Sequence, residues 1–393
     1  MRKTLLIILL FLCAHNLFSQ QDSLLKKFKY RIDHYQAVNL NAGAGTQFNR
    51  SEIPATTNKN SYLSGALGGN YYLLKSTDKI LLTASAGLNT GLGTGNSDND
   101  SIHQKSTSFG FVPIFRILNK WFSKKLFTEL GADFSSHIYK YKVSADGYPS
   151  PFKNKNADYS IAIHTGIGTG RLENITDMQN ALWLYKELTA EKIISRQLTG
   201  DELNELGRAV TTGNNTRVLD ARRRTKFILA TVDNYLQQKG VISKPDIKYF
   251  SSLNDILFFA INNPRLSGTE KYIRFTPAIA SWGNDQDASN GTDKYQHRFN
   301  TKSLLLSLGI GKYIPTNLVH QNNFGVSAKL SYISADLSNK YFTNDVITNE
   351  VKSNSELKQA AVNLFFQHSI YPNTRTVIDF NLQTETGYQD FEK

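Results

Sequence analysis

Residues 80–89 read Ile-Leu-Leu-Thr-Ala-Ser-Ala-Gly-Leu-Asn. Every second residue, Ile80, Leu82, Ala84, Ala86 and Leu88, is apolar. The residues between them, Leu81, Thr83, Ser85, Gly87 and Asn89, are small and mostly polar. A period of two is that of a β-strand, whose side chains alternate between its faces. Two unlike faces imply two unlike surroundings. About ten residues suffice for a tilted strand to cross a bilayer. The segment therefore predicts a transmembrane strand, with one face to lipid and one to a polar lumen.

The pattern recurs. It predicts strands over 38–48, 62–74, 80–93, 106–118, 126–141 and 159–170, and again over 272–282, 301–313, 324–334, 360–371 and 376–388. Leu304, Leu306, Leu308 and Ile310 share one face, with Ser303, Ser307, Gly309 and Gly311 among the other, and Phe324, Val326, Ala328 and Leu330 alternate with Gly325, Ser327 and Lys329. Short connections (76–79, 119–124, 315–323, 372–374) alternate with long polar ones (49–60, 96–105, 144–156, 284–297, 337–355). Bacterial barrels have short periplasmic turns and long outer loops, so the first strand rises from the periplasm. Single-chain bacterial barrels have an even strand number, which predicts about twelve strands. Residues 25–36 are the candidate for the missing one, or a strand has been merged or missed. Tyr71, Tyr72, Trp121, Phe122, Tyr313 and Tyr371 fall at periplasmic strand ends. Tyr139, Tyr141, Tyr159, Trp282 and Tyr388 fall at outer ends. They read as two interfacial aromatic belts.

The N-terminus agrees with export. Arg2 and Lys3 precede an apolar run over 5–12, and Ser19 gives a small residue before Gln20. This is the form of a signal peptide, about residues 1–20, and the run is short for a spanning helix. The one cysteine, Cys13, lies inside it, so the mature chain has no disulfide, thiol ligand or thiol nucleophile. The net charge of +12 falls to +10 without Arg2 and Lys3 (12 − 2). Export and the dispersed placement of the charges argue against nucleic acid and for a surface beside anionic lipid. A hydrophobic content of 40% is low for a helical membrane protein and suits a barrel.

Between 173 and 271 the period changes to that of helices. A helix is expected from Thr176, and Thr199 with Glu202 forms a capping box for a second. Asn214 or Asn215 is expected to start the longest, which Gly240 ends. A fourth is expected over 252–261. The fold expected is mainly β: an antiparallel transmembrane β-barrel with an inserted all-α subdomain. The barrel halves are 21–172 and 272–393. By strand parity the insert lies in the periplasm, with its own core, and a plug inside the lumen is the competing placement.

The stretch Gly168-Thr169-Gly170-Arg171-Leu172-Glu173, the Asn174-Ile175-Thr176-Asp177 step and the Arg217-Val218-Leu219-Asp220-Ala221-Arg222 helix resemble a group of Bacteroidota outer-membrane barrels with a helical insert. So do residues 249–255 and Arg265-Leu266-Ser267-Gly268. The resemblance spans about a third of the chain and implies fold and location, with no activity to carry over.

Arg116, Glu129, Asp133, His137, His164, Arg274, Lys329, Asp379 and Glu385 are the lumen-facing polar candidates. His137 and His164, with Glu129 and Asp133 nearby, could serve a hydrolase or a metal. Polar lumen residues occur in every barrel, however, so they read first as pore lining or salt-bridged filling. Gly-x-Ser-x-Gly and His-Glu-x-x-His are absent. Glycine runs at 91–95 and 168–170 lack a Walker lysine, so no nucleotide or other cofactor is expected. Arg222, Arg223, Arg224 and Lys226 form a basic cluster on the long helix. It is either a solvated face or a grip on an acidic partner, such as peptidoglycan, a periplasmic protein or lipid headgroups. The expectation is a non-enzymatic barrel with a structural or partner-binding role through its helices. A narrow solute channel is the alternative, and a barrel enzyme comes last.

Overall fold

The structure, a computed structural model, describes residues 20–53, 56–99, 102–216, 221–242, 245–260 and 264–392. The signal segment before Gln20 lies outside the described residues. A helix, α1 (Gln20–Lys27), leads into six strands: β1 (Ile32–Ile53), β2 (Thr56–Ser76), β3 (Ile80–Asn99), β4 (Ile102–Ser123), β5 (Leu126–Ala145) and β6 (Phe152–Asn174). Four helices follow: α2 (Thr176–Ala190), α3 (Gly200–Asn215), α4 (Ala221–Gln238) and α5 (Ile247–Phe258). Five strands complete the chain: β7 (Leu266–Asp287), β8 (Asp293–Pro315), β9 (His320–Thr343), β10 (Val346–Ile370) and β11 (Ile378–Glu392). No described helix is long and apolar enough to cross a membrane.

The strands form one antiparallel sheet in sequence order, β1 to β11. The count is therefore eleven, not twelve. Residues 25–36, the candidate extra strand, are divided between α1 and the start of β1. Among the described residues no ladder joins β11 to β1. These two edges run in the same direction, because an even number of reversals separates them.

The register sorts the faces as the alternation predicts. Leu306 pairs with Leu330 and Phe275, whereas Ser307 pairs with Lys329 and Arg274. The apolar set is exposed: Leu130, Ile163, Ile273, Leu306, Leu330 and Leu364 are each 36–53% accessible. The polar set is crowded, with Glu129, Thr276 and Ser307 all buried. That inversion is what a sheet with its apolar face to lipid requires. The crowded face is also concave. In a flat sheet the backbones of Lys120 on β4 and Glu270 on β7 would lie about 20 Å apart, three ladders across and four residues along. Their charged atoms are 2.7 Å apart.

Much of the long polar connections is strand, with loops left over 146–151 and 288–292. β1 and β2 are paired out to Ile53 and Thr56, and β9 and β10 out to Thr343 and Val346. Beyond the apolar belt both faces are wet, so alternation fades while the backbone ladder continues. The β9–β10 hairpin closes through Asn344 and Asp345, both at positive φ (52° and 61°), as a two-residue primed turn demands.

The aromatic belts hold only in part. Trp121, Tyr159 and Tyr388 are exposed on the outward set. Tyr72, Phe122, Tyr139, Tyr141, Tyr313 and Trp282 belong to the inward set by register. Tyr371 is buried under Arg265. Position at a strand end does not fix a ring's face; the parity does.

The helices share one core, but it is not the insert's alone. Met178, Leu182, Leu206, Val210, Val232, Leu236, Tyr249 and Leu253 pack with Leu25 of α1, with Phe28 just past its end and with Leu318 of the β8–β9 turn. A Cβ on Gly207 would stand 3.0 Å from the Phe28 ring, so glycine admits α1 against α3. The independent core expected for the insert is thus a composite one. Its boundaries are also narrower than 173–271, because β6 runs to Asn174 and β7 starts at Leu266. Asn214 and Asn215 end α3 rather than start α4. Asp246, not Ser252, caps α5, its side chain accepting from the Tyr249 N–H at 3.0 Å. The Thr199–Glu202 capping box is present as read.

Candidate functional site

The inward face at the short-turn end carries a charge cluster. Glu129 on β5, its side chain fully buried, accepts from Arg274 on β7 through both carboxylate oxygens, one at 3.1 Å. Lys120 on β4 stands 3.7 Å from Glu129 and 2.7 Å from Glu270. Lys120 also lies over the Phe127 ring, and Arg274 over Tyr272. Charges this buried persist only when paired, since desolvation is otherwise too costly. Gly309 makes room for the Tyr272 ring, where a Cβ would collide.

Just above, Arg116, Asp133, His164 and Arg274 line a cavity of about 350 Å³ with Tyr72, Thr83, Ser85 and Leu118. His164 bonds Asp133 at 2.9 Å through Nε2 and Thr276 Oγ1 at 3.1 Å through Nδ1. Carboxylate, imidazole and hydroxyl in series is the order of a nucleophile-activating relay. Thr276, however, is buried and does not line the cavity. The series fixes the His164 ring instead of presenting a nucleophile. Arg116 stands 4.0 Å from Asp133.

The other candidates lie apart. His137 is not beside His164: it pairs with Asp158 at 3.3 Å and stacks on Tyr139, six ladder positions toward the outer end. Asp379 accepts from Ser369 Oγ at 2.6 Å, and Glu385 from Asn363 at 3.3 Å. Lys329 faces inward between Ser307 and Ala361. Among the described residues no group of three His, Cys, Asp or Glu could hold a metal. Arg223, Arg224 and Lys226 are exposed on α4, with Arg224 donating to the Asn214 carbonyl at 3.3 Å. The Arg222 side chain lies outside the described residues.

Below the cluster the rim is clamped. Arg171 at the base of β6 donates to the Thr77 carbonyl at 2.6 Å and Ser76 Oγ at 2.9 Å, and lies over the Phe122 ring. Arg31 bonds Asp78 at 2.7 Å and Glu173 at 2.8 Å. These contacts join the β2–β3 turn to β6 across the mouth. Gly170 and Gly268, at φ +85° and +121°, sit within the β6–β7 ladder just past the end of the β5–β6 pairing, where a Cβ would strike the facing backbone. Arg265 is fully buried where the chain returns from α5. It donates to the carbonyls of Asn317, Leu318 and His320 and to Gln321 Oε1. From there α1 crosses to β7 and β8, and α3 meets β1. The helices thus sit at the rim, not among the lumen strands.

The sequence reading missed Lys120, Glu270, Thr276, Arg31 and Arg265. Lys120 and Glu270 share the inward parity of Arg116 and Arg274, so the alternation itself marked them. Arg31 falls in the candidate strand 25–36 and Arg265 in the 265–268 stretch, and neither position carried a face assignment.

No family model matches this chain. No curated protein matches it. Among solved structures it is similar to the translocator domain of autotransporter NalP from Neisseria meningitidis, at 9% identity, with 94% of this chain and 93% of that chain covered and a TM-score of 0.26. It is also similar to the transport unit of the autotransporter AIDA-I from Escherichia coli, at 8% identity, with 96% and 94% covered and a TM-score of 0.29. At such scores the fold rests on the strand register and not on these neighbours.

Proposed function

We propose that this protein is an outer-membrane β-barrel shut at its periplasmic mouth, with a non-enzymatic structural or partner-binding role exerted through the helical domain beneath it. The observation that carries the reading is the clamp. Arg171 and Arg31 tie β6 to the β2–β3 turn, the Lys120–Glu129–Arg274 cluster fills the space above, and the α1-containing helical core lies below. A mouth built this way supports a fixed periplasmic platform more than a passage. The platform presents Arg223, Arg224 and Lys226 to solvent, a surface suited to an acidic partner such as peptidoglycan or an acidic periplasmic protein.

Co-sedimentation of the detergent-solubilised full chain with isolated peptidoglycan tests the partner. The parent should sediment, and a variant with Arg223, Arg224 and Lys226 changed to Gln should stay in solution. Equal sedimentation removes the basic face from the account. The second reading, a narrow solute channel, draws on the cavity lined by Arg116, Asp133 and His164.

A further inference from the structure

Four lysines form a square on the outward face near the outer strand ends. In the β5–β6 ladder Lys140 stands opposite Lys155, and Lys142 opposite Lys153. Side chains directly opposite have Cβ atoms about 4.5–5.5 Å apart, and like charges so placed are destabilising. All four are exposed. The neighbouring β7 offers Asp285 and Asp287 in the same rows, but Arg298 holds Asp285 at 2.6 Å and Lys153 holds Asp287 at 3.5 Å. Among the described residues Lys140, Lys142 and Lys155 have no ion pair.

The same rows continue across the sheet in the other direction. Phe109 lies beside Lys140, Leu92 beside Phe109, and Leu63 and Ala44 beyond them. These residues, the four lysines and the two aspartates line one groove of about 900 Å³, so its head keeps an excess of lysine over carboxylate. Toward the short-turn end the same face carries Ile138 and Phe134 on β5 and Tyr159 and Ile161 on β6, the upper edge of the apolar belt. The groove therefore has a cationic head and an apolar floor, and it opens on the lipid-facing side.

We propose that this groove seats an anionic lipid of the outer leaflet, one whose headgroup phosphate has no choline or amine cation to offset it. The headgroup phosphate bridges the lysine square and relieves its like-charge repulsion. The acyl chains lie on Phe109, Leu92 and Leu63. The apolar floor favours a lipid over free phosphate, which would leave those side chains in water. The assignment rests on the membrane reading above.

The test refolds the full chain into phosphatidylcholine vesicles, with and without phosphatidic acid, and follows the midpoint of heat-modifiable unfolding. Phosphatidic acid should raise the parent's midpoint. The variant Lys140→Gln/Lys142→Gln/Lys155→Gln should lose that gain, yet match or exceed the parent in phosphatidylcholine alone. Lys125→Gln/Lys271→Gln/Lys312→Gln removes the same charge at the opposite strand ends and should keep the gain. Loss of the gain in both variants, or no gain in the parent, overturns the proposal. Inorganic phosphate added to phosphatidylcholine vesicles should have no effect; an equal rise assigns the site to the free ion and also overturns it. A chain that folds in both vesicles but ignores the headgroup defeats this site alone. A chain that never becomes heat-modifiable defeats the membrane reading as well.

Discussion

The guanidinium of Arg265 lies 4.7 Å above the ring of Tyr371, joining the return from the helices to the end of β10. Backbone carbonyls of the β8–β9 turn and Gln321 hold it. Substitution would leave the acceptors of Asn317, Leu318 and Gln321 unpaired, at about 1–3 kcal/mol each, while the His320 carbonyl keeps the Thr316 and Asn317 N–H groups. Arg265→Ala should therefore lower the stability of the whole chain by at least about 3 kcal/mol. Arg265→Lys should recover little, because one ammonium does not match a forked donor set. Urea titration in vesicles measures both.

Glu129 is the hub of the lumen cluster. Removing one partner of a buried ion pair costs about 3–5 kcal/mol. Glu129→Ala should destabilise by that amount, and Glu129→Ala with Arg274→Ala by clearly less than the sum of the two single changes. Additive costs in a double-mutant cycle would show that the two side chains do not interact.

The two faces of β10 give a direct contrast. Leu364 points outward and is 45% accessible, and its neighbour Asn363 points inward and donates to Glu385. An arginine near the bilayer midplane on the lipid face costs about 2–4 kcal/mol. Leu364→Arg should cost that much, while Asn363→Arg, which gains Glu385, should cost little. Ser307 is unsuitable as the inward position, because its ladder partners are Arg274 and Lys329.

Two carboxylates of the helical domain should titrate with opposite signs. Arg196, at 2.7 and 3.0 Å, and then the Thr199 N–H hold the Glu202 carboxyl down to about 2 from its ordinary 4.5. Its stabilisation is full above about 4.5 and is lost as the pH falls toward about 2. Burial raises the Asp177 carboxyl above its ordinary 3.8, against hydrogen bonds from Thr211 and Asn214. Its ionised form thus costs stability at neutral pH, and that cost disappears in acid. Asp177→Asn should stabilise the helical domain at neutral pH and not in acid, while Glu202→Gln should weaken it at neutral pH only. Helical circular dichroism during urea unfolding reads both.

The composite helical core predicts that residues 175–265 alone are incomplete. Phe28 is 1% exposed inside it. Phe28→Ala should cost about 3–5 kcal/mol, although Phe28 lies outside the insert. A separately expressed 175–265 segment should be less helical than one carrying residues 20–31 as well. Equal helicity would restore the independent insert.

The sequence made the strands and their faces legible, because two solvents impose a period of two from Ile80 to Leu382. The four helices of the insert were legible in number, since each carries its own apolar stripe, and Thr199 announced its cap; α1 was not, because residues 25–36 read as a candidate strand. Four features were not fully legible. The hairpin extensions past the belt lose alternation where both faces are wet, so they read as loops. The helix boundary at Asn214 and Asn215 read backwards, because Asn suits either end of a helix. The lumen cluster was only half visible: Arg116 and Arg274 stood out, but their grouping with Lys120 and Glu270 depends on curvature that brings β4 against β7. His137 and His164 looked adjacent because their strands are, and the register sets them six positions apart.

The central claim is a membrane-inserted barrel shut at its short-turn mouth. Single-channel recording of the purified full chain in a planar bilayer tests it most directly, with heat-modifiability of the same preparation showing that it has inserted. The account predicts inserted protein with no steady conductance steps. Stable ohmic steps at rest would contradict it and return the molecule to the narrow-channel reading.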